Sequence, residues 1–151
     1  MNELIEDYLR AAGVRYFRGH HDDDFFYLVD VPGGVHRGRL HVHLEVGGVV
    51  RDAVRISISP DRFFPAQYRE RLTELAARWN AGEPCVYAVV HDSCDPALVG
   101  GIAQITHRPA GIEGLTGFVD HAVASAAELF ALMRAVAGAE VPEAVALRDA
   151  G

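Results

Sequence analysis

The chain has 151 residues, half of them hydrophobic and 23% charged, which describes one folded domain able to bury its own core. Its 14 basic residues are all arginine and face 21 acidic ones, for a formal charge of −7. That balance excludes a basic, backbone-tracking nucleic-acid binder and a polybasic membrane-surface protein, and the lack of lysine removes Schiff-base, pyridoxal-phosphate and P-loop chemistry.

The N-terminus, Met1 to Asp7, is acidic where a secretion signal would be basic. The longest apolar stretch, Phe118 to Val136, is interrupted by Asp120, His121, Glu128 and Arg134, so no run reaches the length of a membrane span. The expectation is a cytoplasmic protein. Cys85 and Cys94, on one extended segment, would stand roughly 30 Å apart, beyond disulfide reach, and read as reduced thiols.

In chain order, Leu4, Ile5, Tyr8, Leu9 and Ala12 recur at helical spacing and predict an amphipathic helix over residues 2–12, stopped by Gly13. An acidic, histidine-bearing loop, His20 to Asp24, follows. A strand over Phe25 to Val31 ends at Pro32-Gly33-Gly34. Arg39 to Val46 alternates strictly, with Leu40, Val42, Leu44 and Val46 on one face and Arg39, His41, His43 and Glu45 on the other. Ala53 to Ser59 alternates likewise, Val54, Ile56 and Ile58 against Arg55, Ser57 and Ser59. Such alternation marks an antiparallel sheet with one face dry and one wet.

Pro65 fits the first turn of a second helix running to Ala81, with Gly82 and Pro84 as its exit. Strands over Cys85 to His91 and Leu98 to His107 follow, and Gly100-Gly101 in the latter suggests a bulge or a late start. Gly111, Gly114 and Gly117 mark a loop before a last helix over Leu115 to Ala137. That helix is apolar over a wide arc, the pattern of a helix that buries two sides. The domain is therefore expected to span 1–138, with 139–151 a flexible tail. The order α-β-β-β-α-β-β-α, with strands in antiparallel runs, is an α+β fold built on a five-stranded sheet.

This arrangement, with a helix ending in Arg78-Trp79-Asn80, the strand Cys85-Val86-Tyr87-Ala88-Val89-Val90, and a closing helix around Phe118-Val119-Asp120-His121-Ala122-Val123, resembles the YbjN family across residues 2–137. That family is described as bacterial sensory transduction regulators and is similar in fold to type III secretion chaperones. In secretion chaperones such a fold implies a homodimer that binds unfolded partner segments through apolar surface patches; neither catalysis nor a cofactor is expected. The loop at 20–24 departs from the family's pattern.

Candidate chemistry is sparse. His41 and His43 share a strand face roughly 6–7 Å apart, the arrangement of two ligands of a transition metal, and Glu45 extends the row; a polar outer sheet face explains the same residues. The loop at 20–24 lacks the oxygen spacing and turn glycine of a calcium loop. His91, Asp92, Ser93, Cys94 and Asp95 gather nucleophile and base on one loop, where productive geometry would be accidental. The sequence therefore points to a non-enzymatic, protein-binding regulatory domain, a homodimer with no nucleic-acid or membrane partner. Its expected partner surface is Leu115, Phe118, Leu129, Phe130 and Met133. Two rivals are a metal-binding or enzymatic domain using His41 and His43, and an anion or small-ligand sensor around Arg39, His41 and Arg55 on a polar sheet face.

Overall fold

The computed structural model describes residues 1–21, 23–31 and 38–138. The Pro32-Gly33-Gly34 stop, Asp22 of the acidic loop and the expected tail 139–151 lie outside the described residues. The elements are α1 (Asn2–Ala11), β1 (Tyr16–Arg18), β2 (Asp24–Val31), β3 (Gly38–Gly47), β4 (Ala53–Pro60), β5 (Phe64–Pro65), α2 (Arg69–Ala81), β6 (Tyr87–Asp92), β7 (Leu98–His107) and α3 (Ile112–Gly138). The α+β class and the antiparallel sheet are as expected. Two short strands, β1 and β5, add to the five, because three and two residues carry too little alternation to show in a sequence.

The sheet runs β1-β2-β3-β4-β7, with β6 on the far side of β7. Every pairing is antiparallel. Val99 of β7 pairs with Phe64 of β5 and with Asp92 of β6, so β5 lies on the β4 side as a short continuation of β4. Pro65 closes β5 and precedes a 3-10 turn, Ala66–Tyr68, rather than opening α2.

The three helices cover one face of this sheet. The core joins Leu40, Val42, Leu44, Ile56 and Ile58 from the strands to Ile5 and Leu9 of α1, Leu72 of α2 and a stripe along α3. That stripe is Leu115, Val119, Ala122, Ala126, Leu129 and Met133, spaced every three or four residues, with Phe130 beside it. The wide apolar arc of α3 thus resolves into one buried stripe with half-buried flanks such as Phe118 and Val123. By length and composition α3 could cross a membrane, contrary to the sequence expectation that no stretch has spanning length. Here its stripe packs on the sheet.

Two local features explain signals in the sequence. At the end of α2 the Asn80 side chain acts as a surrogate strand: its amide donates to the Ala88 carbonyl at 3.0 Å and its Oδ1 accepts from the Ala88 N–H at 2.7 Å. Trp79 Nε1 donates to the Val86 carbonyl at 2.8 Å. The Trp-Asn pair therefore fastens α2 to the start of β6. In β7 the two glycines mark neither a bulge nor a late start, since the strand begins at Leu98 and its pairing with β6 is continuous from Val99 to Gln104. A Cβ on Gly100 would meet the His91 ring at 2.3 Å, and one on Gly101 would meet Met133 Sδ at 3.0 Å. The glycines make room on both faces instead. Gly114 and Gly117 lie within α3, not in a loop before it, because the helix starts at Ile112 and its first turn is closed by Leu115 N–H donating to the Gly111 carbonyl at 3.0 Å.

Candidate functional site

Strand pairing aligns the outward side chains in rows across the sheet. The longest row is Phe17, Phe26, His43, Ser57, Gln104 and Tyr87, running from β1 to β6. A second is Leu28, His41 and Ser59; a third is Asp24, Glu45, Arg55 and Thr106. Among the described residues no helix covers this face, and Phe17, Phe26, Leu28 and Tyr87 are exposed on it. A concavity of about 490 Å³ opens on it, walled by Phe17, Phe26 and Leu28 and floored by His41, His43 and Ser59.

The expected polar sheet face is therefore mixed. The correction comes from β2, which is apolar on both sides: Phe25 and Tyr27 face the core, Phe26 and Leu28 face out. Arg39, offered for anion binding, already meets Asp30 at 3.1 Å. Arg55 stands opposite Glu45 in the pairing.

The two strand histidines have different neighbours. His43 Nε2 lies 3.0 Å from Asp24 Oδ1, and the ring stacks on Phe26 with centroids 4.3 Å apart and planes 5° off parallel. Asp24, His43 and Glu45 each present a ligand atom within 4.8 Å of the others. His41 lies outside that cluster, between Leu28 and Ser59. The strand alternation in the sequence located His43 and Glu45; Asp24 was missed because it was read as loop, whereas it opens β2 directly opposite Glu45.

The neighbouring Asp23 works differently. It accepts hydrogen bonds from Arg51 and from the Asn2 side-chain amide, tying the β1–β2 loop to the β3–β4 turn and to α1. These donors, Arg51 first, hold its carboxyl below the ordinary value.

The remaining candidates do not assemble. Leu115, Leu129, Phe130 and Met133 are fully buried in the chain's own core, so the surface expected on α3 is spent on the sheet; only Phe118 of that set is partly exposed, and it stacks on His107. His91 Nδ1 lies 2.8 Å from the Asp92 carbonyl and its ring covers Gly100, while Cys94 stands exposed on the following loop. No hydrogen bond joins the two among the described residues. Cys85 and Cys94 are both free thiols, as expected.

A second cavity, about 410 Å³, lies between α1, α3 and the end of β2, beside Tyr8, Tyr27 and Asp120. The two phenol oxygens are 3.5 Å apart. Burial raises the pKa of both phenols, most strongly that of Tyr27, and Asp120 adds to the effect.

The fold is similar to that of YbjN. The likeness is to the crystal structure of YbjN, "a putative transcription regulator from E. coli", with a TM-score of 0.58 and 14% identity, and it covers 84% of this chain and 86% of that one. At that identity the likeness speaks for the fold. No protein-family model and no curated protein matches the sequence. The expected YbjN-like α+β architecture is thus present.

Proposed function

We propose that the chain is a non-enzymatic regulatory domain that works as a homodimer, two copies meeting through the outer faces of their sheets. The observation that carries this reading is the uncovered cluster of Phe17 and Phe26, with Leu28 beside them, exposed on the outer face of the sheet. Contiguous apolar surface of this kind is uncommon on monomers and marks an interaction site.

The occupant is argued from charge. The whole chain carries −7, which disfavours self-association. The outer face does not share that excess: its carboxylates, Asp24, Asp30 and Glu45, stand among Arg39 and Arg55. The β6–β7 side adds Tyr87, Val89, Ile102, Gln104 and Thr106, none of them charged. A second copy therefore meets a nearly neutral, partly apolar surface, and an isologous pairing needs that self-compatibility. Regulation by association is in keeping with the described role of YbjN.

Sedimentation velocity across the micromolar range tests the reading. Wild-type protein should sediment as a dimer, and Phe26→Asp or Leu28→Asp should sediment as a monomer with an unchanged far-UV spectrum. A monomeric wild type, or a dimer that survives both substitutions, overturns it.

A further inference from the structure

We propose that Asp24, His43 and Glu45 form a binding site for one divalent transition-metal ion of the zinc type. The three side chains project from two directly paired strands, Asp24 opposite Glu45 and His43 two residues along the same face of β3. Their ligand atoms lie within 4.8 Å of one another, and the His43–Asp24 contact is already 3.0 Å. A zinc ion bound at about 2.0–2.1 Å needs ligand atoms roughly 3.4 Å apart. To close that difference the Asp24 and Glu45 side chains would turn toward His43 Nε2 while the strands stay paired.

Three physical features favour an ion here over a surface coincidence. Like charges directly opposite across an antiparallel pair are destabilising, and Asp24 and Glu45 are such a pair. Arg55 flanks Glu45 on its other side but stands two strands from Asp24, so in that row Glu45 has an arginine directly opposite and Asp24 does not. The His43 ring is held by its stack on Phe26, which fixes the direction of Nε2 toward Asp24 and lowers the entropy lost on ligation. Asp24 and His43 are also partly buried, with side chains 15% and 28% exposed, so competition from water is reduced.

The donor set defines the class of ion. One imidazole with two carboxylates suits zinc and its neighbours, whereas calcium takes six to eight oxygens and magnesium few protein ligands. Three protein ligands leave a position for water or for a ligand from outside. His41 is not part of the set, and the site is complete within one chain.

Calorimetric titration of tag-free, full-length protein with zinc chloride tests the proposal. Wild type should bind one zinc per chain. His43→Ala and, independently, Glu45→Gln should weaken binding roughly tenfold or more, since even loss of an outer-shell partner has an effect of that size. His41→Ala should leave the affinity within about threefold of wild type. Glu45→Gln conserves shape and keeps the test sound should His43→Ala fold poorly. Uptake below about 0.1 zinc per wild-type chain, or full affinity in Glu45→Gln, overturns the site.

Discussion

The two faces of the sheet start from the same kind of strand and end in opposite environments. On the helix side, side chains such as Phe25, Leu44, Ile56 and Phe130 are fully buried and close-packed. On the open side, Phe26 is 41% and Leu28 45% exposed, although they neighbour Phe25 and Tyr27 in the chain. Apolar character alone therefore does not assign a residue here to the core. The pleat does, and it makes one face stabilise the fold and leaves the other for recognition.

The sharpest test of this division compares two phenylalanines. Phe130→Ala empties a fully buried site between α3 and the sheet and should destabilise the chain by about 3–5 kcal/mol in urea unfolding. Phe26→Ala, on the open face, should cost about 1 kcal/mol or less while weakening self-association. Equal stability losses would erase the distinction between the faces.

Asn80 probes the edge where both faces end. Its side chain makes two hydrogen bonds with the Ala88 backbone at the start of β6. Asn80→Ala leaves that N–H and C=O without their partner and should cost about 2 kcal/mol. Hydrogen exchange should then quicken at Ala88 while the amides of β3 keep their protection, because the damage is local to the α2–β6 junction.

Gly100 and Gly101 carry the comparison down to adjacent residues, since one opens to His91 on the outer face and the other to Met133 in the core. Gly100→Ala forces the His91 ring from its place and with it the contact to the Asp92 carbonyl, for a loss of about 1 kcal/mol. His91→Ala in the same chain should remove most of that loss, because the obstacle is the ring. A double variant no better than Gly100→Ala would mean that the glycine matters for its backbone instead.

How much of this was legible in the sequence follows the same physics. Strict alternation in β3 and β4 placed Leu40 to Val46 and Val54 to Ile58 on the core face and their neighbours outside, as observed. Alternation failed in β2, where a run of apolar residues carries no face information. It thus hid the outward Phe26 and Leu28, which give the open face its apolar character. In α3, hydrophobic breadth suggested a second buried side, yet small residues such as Ala122 and Ala126 fill the stripe while Leu132 stays half exposed. The metal-binding cluster was half visible: His43 and Glu45 share a strand face, but Asp24 joins them only through cross-strand pairing.

The smallest expected effect concerns the buried phenols at the rim of the core face. Tyr27 and Tyr8 are held as neutral phenols, because burial away from water disfavours the phenolate and Asp120 adds a like charge. In the unfolded chain both ionise near the ordinary value of 10, so above that pH the unfolded state releases protons that the folded state retains. Stability is therefore complete below pH 10 and falls progressively as the pH rises beyond it. Tyr27→Phe removes one of the two ionisations and should flatten this alkaline limb. At pH 7 it should cost about 1 kcal/mol or less, since Tyr8 loses only one long hydroxyl contact at 3.5 Å. Urea midpoints measured between pH 7 and 11 for both proteins provide the check, and parallel curves would show that the phenol of Tyr27 is not held neutral by the fold.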